Sequence, residues 1–96
     1  MAAYVIADIK VSDPEKYKGY QALTPGAIAA AGGEFLVRGG KLEVLEGNPE
    51  PGRVVVLRFE TMEAARAFYE STGYVAARAA RAGATERFNM FIVEGV

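Results

Sequence analysis

Along this chain a two-residue alternation of apolar and polar positions gives way to a helical period and then returns, and the cycle occurs twice. From Ala3 to Val11 successive residues fall on two faces, Tyr4–Ile6–Asp8–Lys10 and Val5–Ala7–Ile9–Val11, as in a strand. Asp13-Pro14-Glu15 then opens a helix, with a capping oxygen, a proline whose missing N–H costs nothing there, and an early acid. Tyr17, Tyr20, Thr24, Ala27, Ile28 and Ala31 share one stripe of that helix. Pro25 lies inside it and predicts a kink or restart, with Thr24 as a local cap; Gly32-Gly33 predicts its end.

The second cycle follows a less regular stretch. Glu34 to Arg38 reads as a strand, after which Gly39-Gly40 predicts a bulge before Leu42-Glu43-Val44-Leu45-Glu46 resumes extended structure. Residues 47–52, Gly-Asn-Pro-Glu-Pro-Gly, are the clearest turn. Arg53 to Glu60 is the strongest strand, and Val54-Val55-Val56-Leu57 makes both its faces apolar, as in a covered central strand. Thr61 caps a second helix whose buried side is Ala64, Ala65, Phe68 and Tyr69, with Glu63, Arg66 and Glu70 toward water. Ser71-Thr72-Gly73 interrupts, a short third helix runs from Tyr74 to about Ala82, and the last strand spans Thr85 to Glu94.

The order β-α-β-β-α-β implies an α+β fold, a ferredoxin-like sandwich with an antiparallel four-stranded sheet and helices on one face only. No linker divides the chain, so residues 1–96 are expected to form a single domain. The last strand is apolar on both sides, with Phe88, Met90 and Ile92 on one and Phe91 and Val93 on the other. The bare sheet face therefore needs cover. A second copy related by a two-fold axis is the simplest, giving a homodimer in which two sheets close into a dimeric α/β barrel.

Composition narrows function mainly by exclusion. A formal charge of −1 gives no basic field for nucleic acid. No apolar run approaches the roughly 20 residues of a membrane span, and no secretory leader is visible. A cytoplasmic protein is expected. Cysteine is absent, which removes thiolate chemistry, and histidine is absent, which removes the commonest general base, metal ligand and axial haem ligand. The acids are scattered without ligand spacing, so no metal site is expected, and the glycine pairs match no phosphate-binding loop.

The residues left to carry chemistry are few. Tyr17 and Tyr20, one turn apart, and Tyr69 on the second helix combine an apolar ring with a hydroxyl, suited to orienting a small and mostly apolar ligand. Ordinary core packing is their alternative reading. Arg38, before Gly39-Gly40, is costly on an inner face unless paired; it suits a carboxylate, an enolate or an oxyanion, or it is a plain surface arginine or a partner for Asp8 or a glutamate. Asp8 is either a base with a raised pKa in an apolar wall or, as the pattern favours, a structural partner of Arg58 or part of the dimer seam. Tyr74, Arg78 and Arg81 share a face of the third helix that could hold an anionic group, but they read best as a solvated basic face with the tyrosine stacked on the guanidinium stems.

The words YVIADI, DPEKYKGY, GGEFLVRGG, LEVLEG, RVVVLRF and FYES, in this order over nearly the whole chain, resemble the bacterial family catalogued as domain of unknown function 1330. That resemblance implies the dimeric α/β-barrel group, which includes antibiotic-biosynthesis monooxygenases, haem-degrading monooxygenases and muconolactone isomerases, and a pocket between each sheet and its helices. It implies no reaction. The family usually has tryptophan where Phe68 stands and favours Pro-Glu before the tyrosine where this chain has Thr72-Gly73. On this basis the expected activity is that of a cofactor-independent oxygenase or isomerase for a small aromatic or enolic compound. Arg38 and Tyr17 would be catalytic, and Tyr20, Tyr69, Phe68 and Asp8 would bind the ligand, with no cofactor and no metal. A non-catalytic binder and a structural or interaction dimer are the alternatives.

Overall fold

The computed structural model describes all of residues 1–96. Its elements run β1 (Ala3–Val11), α1 (Pro14–Ala30), β2 (Glu34–Arg38), β3 (Arg53–Phe59), α2 (Met62–Glu70), α3 (Thr72–Ala80) and β4 (Thr85–Glu94). The strands form one antiparallel sheet in the order β2-β3-β1-β4, and the fold is ferredoxin-like α+β. Short polar side chains start each helix. Asp13 accepts a hydrogen bond from the Lys16 N–H, Thr61 from that of Ala64 and Ser71 from that of Tyr74. Ser71 thus ends α2 and caps α3, which begins at Thr72, earlier than expected.

Four local expectations need correction. Pro25 does not break α1, which is assigned as one helix from Pro14 to Ala30. Thr24 is no cap; its hydroxyl donates to the Tyr20 carbonyl at 2.7 Å, one turn back inside the helix. Leu42–Glu46 forms no strand, because nothing in the single chain pairs with it, and Leu45 is almost fully exposed. The bulge sits at Leu36 and not at Gly39-Gly40: Phe35 opposes Leu57 and Val37 opposes Val56, so Leu36 is the extra residue.

Odd-numbered residues of β1, Ala3 to Ile9, point under the helices and are nearly inaccessible. They meet Leu57 and Phe59 from β3, Phe68 from α2 and Tyr74 from α3 in one core. Gly33 is required there, since a Cβ would stand 2.5 Å from the Phe59 ring. The helices cover only this face. On the other, Ile6 opposes Val56 and Phe91, and Phe91 and Val93 are about half exposed. The patterning had β3 covered on both sides, but within one chain it is covered on one.

Candidate functional site

Helix α1 leans on α3 and approaches the sheet less closely than α2 does. A gap remains between them, floored by Val5, Ala7 and Ile9 of β1 and roofed by Tyr17, Tyr20 and Thr24. Its free volume is about 30 Å³, room for a water or two as the side chains stand. At one end the lining turns polar, with Gln21, Arg38 and Arg53.

The Leu36 bulge decides what Arg38 does. Without it, Phe35 and Arg38, three residues apart, would point to opposite faces of the sheet. With it, Phe35 opposes Leu57 and Arg38 opposes Val55, both on the helix side, and the Arg38 guanidinium lies 4.4 Å from the centre of the Phe35 ring. Arg53, missed in the sequence reading, faces the same way because it opposes the buried Ile9. Gly39 has a φ of 67°, which favours glycine, and the Arg53 guanidinium lies where a side chain there would point, so any larger residue would also push that guanidinium aside. Only the β2–β3 register brings these arginines together. A periodicity search does not see it.

The tyrosines form a connected aromatic array. Tyr17 and Tyr20 ring centres are 5.3 Å apart, and Tyr20 meets Tyr74 edge-on with hydroxyl oxygens 2.6 Å apart. Tyr74 is fully buried against Phe68, ring centres 4.5 Å apart, with its hydroxyl 3.7 Å from the Met90 sulfur. The basic-face reading of Tyr74 is therefore wrong: only its arginine neighbours lie at the surface, Arg78 over Tyr69 and Arg81 over Phe88. Burial pushes the phenol pKa of Tyr17, Tyr20 and Tyr74 upward; Arg53 and Arg81 partly offset this at Tyr17, and Tyr74 reinforces it at Tyr20. At neutral pH these groups are hydrogen-bond donors and not bases.

An alkaline limit follows from that direction. Phenols whose folded pKa exceeds the ordinary 10.0 stay protonated while the unfolded chain ionises, so the stability they contribute is complete below pH 10 and lost as pH rises through their folded values. Denaturant unfolding measured at pH 8, 10 and 11 is expected to show a steep fall over the last interval in wild type and a shallower one in Tyr20→Phe. Equal slopes would contradict the burial of that hydroxyl.

Asp8 and Tyr69 lie elsewhere. Asp8 is on the bare sheet face, accepting from the Gly52 N–H at 2.9 Å and paired with Arg87 at 3.0 Å. The Gly52 N–H first, and Arg87 with it, hold its carboxyl below the usual range, the reverse of a raised-pKa base. The partner is not Arg58, which opposes Tyr4 further along the sheet and pairs with Glu34. Tyr69 is more than one-third exposed and lines a separate, more open cleft of about 440 Å³ between α2 and β4; Phe68 borders both spaces. Of the six residues singled out from the sequence, Tyr17, Tyr20, Arg38 and Phe68 line the α1 gap.

The fold agrees with that of the chain's relatives. The chain belongs to the family described as Domain of unknown function (DUF1330), matched over residues 2–96. Among solved structures it is similar to a protein of unknown function from Rhodopseudomonas palustris, with a TM-score of 0.77 and 15% identity, covering 99% of this chain and 82% of that one. It is similar also to a dimeric ferredoxin-like protein of unknown function from Thermobifida fusca, with a TM-score of 0.66, 20% identity and coverage of 97% and 90%. SnoaB, a cofactor-independent oxygenase from Streptomyces nogalater, matches with a TM-score of 0.61, 12% identity and coverage of 99% and 93%. No curated protein matches the chain. No helix is long and apolar enough to cross a membrane.

Proposed function

We propose that the chain acts as one domain in a homodimer, and that each copy binds a small, mostly apolar molecule in the gap between α1 and the sheet. The observation that carries this is the gap itself: apolar walls from β1 and α1 that end at Arg38, Arg53 and the Tyr17 hydroxyl. Binding needs α1 and Phe35 to yield by more than the volume now free. The dimer rests on the bare apolar sheet face and on the dimeric assembly of the Thermobifida fusca neighbour.

The reaction that suits such a site needs no bound cofactor. Tyrosines and arginine orient an electron-rich aromatic or enolic substrate and exclude water, and the substrate supplies the reactivity. The SnoaB likeness supports this oxygenase or isomerase reading at the level of fold. A non-catalytic binder is the second reading, favoured by the lining of the gap, which contains no carboxylate and whose Tyr17 and Tyr20 stay protonated at neutral pH.

Native mass spectrometry of the purified protein tests the common part. A dimer that retains a small-molecule adduct is expected, and Ala7→Val, which puts two methyl carbons into the floor of the gap, is expected to lose the adduct while staying folded. An adduct equally abundant in Ala7→Val would place the ligand elsewhere. Turnover of the released molecule by fresh protein separates enzyme from binder.

A further inference from the structure

Resting on the reading that a small molecule enters the α1 gap, we propose that its ligand is an anion, a planar aromatic or enolic compound bearing a carboxylate, clamped between Arg38 and Arg53. Arg38 opposes Val55 across the β2–β3 ladder, and Arg53 stands two residues from Val55 on the same face, so the two cations are diagonal neighbours. Neither guanidinium has a carboxylate partner within the chain, whereas Arg58 and Arg87, on the opposite face, each have one. Adjacent like charges without a counter-charge are unfavourable. Here a bulge places Arg38, still exposed to solvent, on the helix side of the sheet, and a left-handed glycine leaves room beside Arg53.

The chemistry of the ligand follows from the groups at that end of the gap. Guanidinium forks match the two oxygens of a carboxylate. The Tyr17 hydroxyl, close enough to Arg53 to feel its charge, adds a neutral donor beside them. Beyond the cations the lining is mostly rings and aliphatic groups, from Phe35, Tyr20, Ile9 and Leu57, which suits a flat apolar body and offers no further charged group to a second charge. A monoanion with its charge at one end is the ligand this wall accepts.

Benzoate and its uncharged counterpart benzamide, titrated into the full chain and followed by amide chemical shifts, form the test. Benzoate is expected to perturb residues around Arg38, Tyr17 and Ile9 and to bind about tenfold or more tightly than benzamide. Arg38→Gln and Arg53→Gln should each lose most of that preference, while Arg58→Gln on the other face keeps it. The ligand-free Arg38→Gln protein should unfold at an equal or higher temperature than wild type, because one of two repelling charges is gone; a merely structural arginine would lower it. Equal binding of benzoate and benzamide in the gap would overturn the anion clamp and leave the pocket reading standing. If neither compound perturbs the gap in wild type, while the melting temperature of Arg38→Gln falls, the clamp and the pocket reading fail together.

Discussion

Truncating Tyr74 to alanine is expected to lower the unfolding free energy by roughly 3–5 kcal/mol, the cost of removing a fully enclosed aromatic ring. Tyr74 is completely inaccessible and packs against Phe68, Tyr20 and Tyr69, so it joins α3 to both other helices. Its hydroxyl also lies between the Tyr20 oxygen and the Met90 sulfur, tying the helices to β4. Against a total stability of about 5–15 kcal/mol, that loss removes a large share. Urea unfolding should show the midpoint fall by about 2 M at an unchanged slope. Tyr74→Phe separates the two contributions: it keeps the ring and strands the Tyr20 hydroxyl, at about 1–2 kcal/mol. An alanine variant within 1 kcal/mol of wild type, on the same scale, would mean that the aromatic array is not the core of this protein.

The same residue explains why part of the design was hidden in the sequence. β1, β2 and β4 have the bounds expected from the sequence, and in β1 the reason is plain, because its faces differ in burial and the alternation records it. Tyr74 shares its helix face with Arg78 and Arg81, and spacing alone reads the trio as wet. In the fold the ring points into the core while each arginine lies over an aromatic ring, Tyr69 or Phe88, as long basic side chains do on apolar surface. Arg53 escaped notice for a different reason: its relation to Arg38 exists only across two paired strands whose register a bulge shifts. Of the pair Gly39-Gly40 only Gly39 has a role there, beside Arg53, and the bulge is made by Leu36. Asp8 shows how far face assignment reaches. Its face was legible, but its partner was a matter of distance along the strands: Asn89 stands opposite, diagonal Arg87 is within reach, and Arg58 stands opposite Tyr4.

The bare sheet face leads to the second large effect: Phe91→Asp is expected to turn the proposed dimer into a folded monomer. Ile6, Val56, Phe91 and Val93 lie together on that face, on the adjacent strands β3, β1 and β4, and Phe91 is 56% exposed in the single chain. In a two-fold assembly the same patch meets itself, so one substitution places two carboxylates in the interface. Burying an unpaired carboxylate among apolar groups costs several kcal/mol, and each 1.4 kcal/mol is tenfold in affinity, so the dissociation constant should rise by about a thousandfold or more. Sedimentation at micromolar concentration should give wild type at twice the chain mass of 10.3 kDa and the variant at that mass itself. Phe91 also borders the cleft between α2 and β4, so Val56→Lys, at the middle of the face and away from that cleft, checks that the effect belongs to the sheet. Both variants should keep the far-ultraviolet dichroism of the parent, because neither side chain belongs to the core between sheet and helices. Wild-type protein sedimenting at the single-chain mass would mean that water, and not a second copy, covers this face.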